Sequence, residues 1–205
     1  TVENLGMSFV NIAPSNEFWS SKRVLITGHT GFKGAWLVML LKRLGAVVYG
    51  LSLDDNVTSQ NLFSLADVKS LCEHSLCDIR DYNRLSQLVQ EIQPDIVFNL
   101  AAQSLVRASY LDPIETFSTN IMGTVNVLDS LRKAKNTRVA IMVTTDKVYK
   151  NMERLSPYSE TDRLGGYDPY SASKSASELV IESYKLSFLN EKSIAVSSVR
   201  AGNVI

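Results

Sequence analysis

Cysteine is scarce: the 205-residue chain has only Cys72 and Cys77. Two thiols cannot build a disulfide framework. With a single histidine between them, His74, and no second cluster, they match no zinc-binding spacing. They are expected to be reduced thiols of a cytoplasmic protein that binds no metal. Charge of one sign is lacking too, because 21 Lys and Arg balance 21 Asp and Glu. A neutral chain offers no overall attraction to nucleic acid or to an anionic membrane, so neither is an expected partner. Long apolar runs are missing, since the uncharged stretch 96–106 falls well below the ~20 residues of a membrane-spanning helix. Residues 1–18 lack the basic-then-apolar layout of a signal peptide, and Met7 reads as a natural start behind a short appended segment. Repeats and low-complexity tracts are absent. What is present, 45% hydrophobic and 20% charged residues, is the composition of a globular protein.

Hydrophobic periodicity alternates between strand and helix. Strands are expected at 22–27 (KRVLIT), 46–51 (AVVYGL), 71–76, 96–100, 138–144 (RVAIMVT) and 194–199. Between them, helical spacing runs over 32–44, closed by Gly45, over 81–90, closed by Pro94, and over 112–135 and 169–189, with a short helix at 62–66. Residues 150–167 read as a long polar loop, broken by Pro157 and Gly165-Gly166, and such loops are commonly functional. The alternation implies right-handed crossovers and an α/β, doubly wound, Rossmann-like parallel sheet of order 3-2-1-4-5-6 over residues 21–205, behind an N-terminal extension at 1–20. Its ligand site should lie beyond the carboxyl ends of the strands, where the order reverses.

Motifs fall at those strand ends. Gly28-His29-Thr30-Gly31-Phe32-Lys33-Gly34 joins the first strand to the first helix. Gly28 suits the tight turn, Gly31 the close approach of a pyrophosphate, and Gly34 close helix–strand packing. The helix N-terminus then offers N–H groups to the phosphates. His29 and Lys33 are either solvent-facing loop residues or donors near those phosphates. Ser52 and Asp54 stand where the second strand should meet the adenosine ribose. Ser52 cannot repel a 2′-phosphate as a carboxylate would, yet NAD is favoured over NADP. Asp78-Ile79 reads either as an adenine-edge contact or as a loop cap.

Tyr170 and Lys174 lie four apart, on one face near a helix start. A phenol, with a pKa of ~10, is a poor base at neutral pH. A neighbouring ammonium favours its phenolate, which can then take a proton from a sugar hydroxyl. The fifth strand ends in Thr144-Thr145-Asp146-Lys147. Thr145 can support the Tyr170 hydroxyl, Asp146 can move a proton, and Lys147 can act as acid, base or charge clamp. Alternatively, Asp146-Lys147 is a turn with a solvated ion pair.

Taken together, GHTGFKGAWL, NLAAQSLVRASYLDP, TNIMGTVN, TTDKVYKN, LGGYDPYSASK and VRAGNVI resemble the extended short-chain dehydrogenase/reductases, and within them the CDP-glucose branch of the nucleotide-sugar 4,6-dehydratases. His29, Lys33 and Asp146-Lys147 carry the branch. The resemblance implies an internal redox cycle on CDP-glucose with NAD as cofactor. In that cycle Tyr170 takes the proton of the sugar 4-hydroxyl, and Lys174 lowers the Tyr170 pKa and binds the nicotinamide ribose. Thr145 hydrogen-bonds the 4-oxygen and Asp146 protonates the departing 6-hydroxyl. Lys147, its pKa depressed by burial and by Lys174, is base or enolate stabiliser at C5. The resemblance also places Leu100, Ala101, Ala102, Gln103 and Thr119 at the cofactor, with Thr119 and Asn120 alternatively supporting the active-site backbone or packing helices. Gln103, Arg107, Thr145 and Asn203 are placed at the substrate, and Tyr110 beside them, with structural packing the alternative for Arg107 and Tyr110. It further implies a homodimer through a four-helix interface, and a small C-terminal substrate lobe that this chain lacks.

Overall fold

The computed structural model describes residues 14–53 and 61–203, so Met7 and Asp54 lie outside the described residues. Six parallel strands form one sheet in the order β3-β2-β1-β4-β5-β6, as the alternation implied. They are β1 (Arg23–Thr27), β2 (Val47–Ser52), β3 (Glu73–Leu76), β4 (Ile96–Asn99), β5 (Val139–Thr145) and β6 (Ala195–Ala201). Pairing starts at Arg23↔Val47 on one side of β1 and Val24↔Ile96 on the other, so the order reverses at the β1–β4 boundary.

Helices cover both faces. After the short α1 (Asn16–Trp19), α2 (Phe32–Arg43) packs with α3 (Leu62–Leu65) on one side. Ala35, Val38 and Leu41 meet Val24, Ile26 and Val48 there, with Phe63 beside them. On the opposite face, α4 (Tyr82–Ile92), α7 (Gly123–Leu131) and α8 (Pro169–Tyr184) bury Leu85, Leu128, Leu131 and Ile181 against Leu25, Val97 and Met142. Side-chain chemistry starts these helices. Asp81 caps α4 by accepting from the Arg84 N–H. Asp112-Pro113 and Asp168-Pro169 each place a capping carboxylate before a proline at the first helical position.

The structure changes the expected helix over 112–135. A separate helix, α5 (Val106–Leu111), precedes it, and α6 (Pro113–Phe117) runs through a π-helical turn at Ser118–Met122 into α7, which stops at Leu131. A second π turn, Lys185–Leu189, ends the helix expected at 169–189. Residues 132–135 form turns instead of a last helical turn, and the Gln93 side chain accepts from the Lys135 N–H. No helix among the described residues is long and apolar enough to cross a membrane.

Candidate active site

The glycine loop follows β1 at the carboxyl edge of the sheet. Gly28 has φ +73°, and a Cβ there would lie 2.7 Å from the Ala101 nitrogen. At Gly34 a Cβ would collide with the Gly28 carbonyl oxygen, so α2 touches the loop backbone as only glycine permits. Gly31 caps α2 without a side-chain hydrogen bond, leaving N–H groups of its first turn aimed beyond β1. Phe32 and Lys33 are exposed, Thr30 is half-buried, and Leu100, Ala101 and Ala102 form the neighbouring half-buried wall after β4. At the end of β2, Ser52 is buried, and its hydroxyl has no hydrogen-bond partner among the described residues. An orphan hydroxyl beside a glycine cradle and a bare helix N-terminus matches the donors and space that a dinucleotide requires.

Other residues expected at this end sit differently. The His29 side chain faces neither solvent nor the open side of the loop. It is buried under Gly50, edge-on to Phe63, with Nε2 2.8 Å from His74 Nδ1. Asp78 takes the loop-cap role: its Oδ1 accepts the Arg80 N–H at 2.9 Å, and its carboxylate pairs with the Arg80 guanidinium. That guanidinium holds the Asp78 carboxyl below its usual range. Ile79 is a core residue; its side chain presses on Gly123 and its carbonyl accepts from Asn126.

Asn120, in the π turn, is buried and bridges the chain after β4 to α8. It accepts the Gln103 N–H at 2.8 Å, donates to the Gln103 carbonyl at 3.0 Å and donates to Ser173 Oγ at 2.8 Å. The Gln103 side chain folds back onto Leu105 and Thr116. Thr119 donates to Glu115. Arg107 and Tyr110 are exposed on α5.

On α8, Tyr170 and Lys174 are both buried. Burial raises the phenol pKa of Tyr170, while a hydrogen bond with Thr145 and the ammonium of Lys147 work against that rise. Lys147 is thus a cation that favours the phenolate. Lys174 Nζ donates to the Val143 carbonyl at 2.9 Å. Burial first, then the Lys33 charge, depresses its pKa to about 8, opposed by Glu178.

Thr145 closes β5, and Asp146–Val148 makes one short helical turn after it. Lys147 is not buried as expected: its side chain is 40% exposed, with Nζ 3.4 Å from both Asp146 Oδ1 and Asn203 Oδ1. Its ammonium leans on a carboxylate and an amide at the rim of an open cavity of about 1510 Å³, whose walls include Asp146, Lys147, Tyr149, Arg163 and Ser171. Two residues that sequence reasoning missed stand beside this cavity. Glu178, one further turn along the Tyr170–Lys174 face, is buried and forms an ion pair with the half-buried Arg200 of β6 at 3.0 Å. The signals were there: a third position at the same four-residue spacing, and an arginine within an apolar strand.

Known proteins with this architecture and sequence are numerous. A CDP-glucose 4,6-dehydratase of Salmonella typhimurium is 46% identical over 193 residues, covering 92% of this chain and 54% of the relative. A dTDP-glucose 4,6-dehydratase of Xanthomonas campestris pv. campestris is 33% identical over 170 residues, covering 78% and 48%. Among solved structures, the UDP-glucose 4-epimerase of Thermus thermophilus in complex with NAD superposes with TM-score 0.74 at 27% identity, over 87% of this chain and 54% of the other. The chain thus spans about half the length of the relatives it matches. The family model described as GDP-mannose 4,6 dehydratase matches residues 25–201. Because that match runs from β1 to the end of β6, through both the glycine loop and the Tyr170–Lys174 helix, the chain belongs to the GDP-mannose 4,6 dehydratase family.

Proposed function

We propose that this chain is the cofactor-binding and catalytic part of an NAD-dependent CDP-glucose 4,6-dehydratase. The observation that supports this reading is the placement of Tyr170 on α8 where its phenol feels Thr145, Asp146 and Lys147 at the end of β5, while Lys174 on the same helix donates to β5 at Val143. An epimerase that only oxidises and re-reduces C4 needs no acid to expel a 6-hydroxyl. NAD, when bound, would supply an acceptor for the C4 hydride and a donor of it to C6, so no external oxidant would be consumed. The α2 N-terminus would hold its pyrophosphate, Ser52 its adenosine ribose and Lys174 its nicotinamide ribose.

The chain's own groups then divide the proton transfers. Tyr170 takes the proton from the sugar 4-hydroxyl, and Thr145 holds the 4-oxygen. The resulting 4-ketone acidifies the C5 hydrogen. Lys147 removes that proton or stabilises the enolate, and Asp146 protonates the 6-hydroxyl as it leaves as water. After hydride return to C6, reprotonation at C5 gives the 4-keto-6-deoxy sugar. The test is to give the whole protein CDP-glucose deuterated at C4 and follow the label by NMR. Intramolecular transfer to C6 is the expected result, whereas unchanged substrate overturns the reading for this donor.

The surface supports a homodimer. Leu111 and Ile114 are 88% and 82% exposed around the start of α6, with Met122 in the π turn and Leu179 on α8 also exposed. Such an apolar set on adjacent helices suits a four-helix interface with a second copy. Sedimentation equilibrium on the whole protein should give twice the chain mass, and Ile114→Glu with Leu179→Glu should shift it to the monomer. A monomeric parent would refute the dimer.

A further inference from the structure

We infer that the partly buried Glu178–Arg200 pair, with the rings stacked upon it, is a clamp that positions Asp146 and Lys147 against Tyr170. This rests on the reading of those three residues as reacting groups.

The pair is fully engaged. Arg200 meets Glu178 through a fork, Nε to Oε1 at 3.1 Å and Nη2 to Oε2 at 3.0 Å. Glu178 also accepts from Thr144 at 2.5 Å and Ser198 at 2.8 Å. One carboxylate therefore joins α8 to β5 and β6. The remaining Arg200 nitrogen, Nη1, reaches into the loop region, donating to the Tyr149 hydroxyl at 3.0 Å and the Glu160 carbonyl at 3.3 Å. Above it the side chains alternate outward. The Arg200 guanidinium lies 5.0 Å from the centre of the Tyr149 ring, which stacks on Tyr158 at 5.2 Å and 13°. The Arg154 guanidinium lies 4.4 Å from the centre of the Tyr158 ring and pairs with Asp162. Two cations and two rings thus link β6 to the loop.

Asp146 and Lys147 need such support. Their side chains are 54% and 40% exposed, and the 3.4 Å pair between them is too open to fix either. Their turn is held at its ends. Thr145, on the β5 side, pairs with Ala201 of β6. Tyr149, on the other side, is gripped by Arg200 and bridged to Leu164. A buried ion pair adds little net stability over apolar packing, but its fork fixes direction, which suits a positioning role. Because Glu178 follows Lys174 by one turn on the face that carries Tyr170, one helix sets both halves of the proposed machinery in a single frame.

Two variants of the whole protein test the clamp. Arg200→Lys keeps the charge but loses the fork. Tyr158→Leu removes the outer ring without touching Glu178 or the strands, so it remains informative if the first variant fails to fold. Amide hydrogen exchange without any ligand should rise about tenfold in peptides spanning 146–151, with β1 and β4 unchanged. With CDP-glucose, kcat should fall about 10–100-fold while KM changes less than about threefold, and Tyr158→Phe should restore both readouts. Exchange at the parent rate in both variants overturns the clamp, and so does faster exchange with an unchanged kcat. A parent without dehydratase activity counts against the functional reading, and the ligand-free exchange then decides the clamp.

Discussion

Replacing Lys174 with methionine should make the protein more stable at pH 7 while abolishing turnover. The buried ammonium titrates near about 8, against an ordinary value of 10.5, because burial disfavours its charge. Between those two values the unfolded chain holds more protons than the folded one, so stability rises with pH across the window. Below about pH 8 the destabilisation is complete and amounts to about 3 kcal/mol. Methionine removes that cost and also the hydrogen bond to the Val143 carbonyl, which is worth about 1 kcal/mol, so a net gain of about 2 kcal/mol is expected at pH 7. The gain should vanish by pH 10.5. Urea unfolding of parent and variant at pH 7 and pH 10 measures the difference, and a variant less stable than the parent at pH 7 would contradict the argument. Turnover should fall by at least about 100-fold, as expected when the group proposed to hold the nicotinamide ribose is lost.

Tyr170→Phe should cost about 10²–10⁴-fold in kcat with the fold intact, the range for loss of a positioned general base. The phenol hydroxyl is bonded by Thr145, and the ring stays buried when the oxygen is removed. The pH dependence of the parent carries a sign. Burial raises the phenol above its ordinary value of 10, so at pH 7 the base form is a small fraction and turnover should climb as pH rises. The phenylalanine variant should lack that climb. Initial rates from pH 6 to pH 9 check both points, and a variant retaining a tenth of parental turnover would remove Tyr170 from the proton transfer.

The parts of the molecule legible in the sequence are those set by local rules. The strand–helix alternation follows from periodicity, and the strand order from the handedness of crossovers. Helix starts at Pro113 and Pro169 follow from the Asp-Pro pairs that precede them. The glycine loop falls between β1 and α2 for backbone reasons that three glycines announce. The less legible features depend on partners far along the chain. His29 turns inward because His74, 45 residues later, and Phe63 offer it a buried place. Asn120 is read from its sequence neighbours as a helix residue, but its amide spans Gln103 and Ser173. A place just after a core strand suggests burial for Lys147, yet β5 ends at Thr145 and the next turn opens toward the cavity. Tyr170 and Lys174 share a helix face as spacing demands, but which cation acts on the phenol depends on rotamers that spacing does not specify.

The π turn at Ser118–Met122 has a consequence for phase. An α-helix advances about 100° per residue, and a turn that takes in one extra residue rotates everything after it by about that angle. Before and within the π turn, Thr116 and Asn120 point toward Gln103 and α8. After it, Gly123, Val127, Leu128 and Leu131 point into the core, with Gly123 against Ile79. A plain helix of the same length could aim only one of these sets correctly. The extra residue is thus a gear tooth: it lets a single rod support the catalytic edge at one end and the hydrophobic core at the other, and removing it would put one set out of step with its partners.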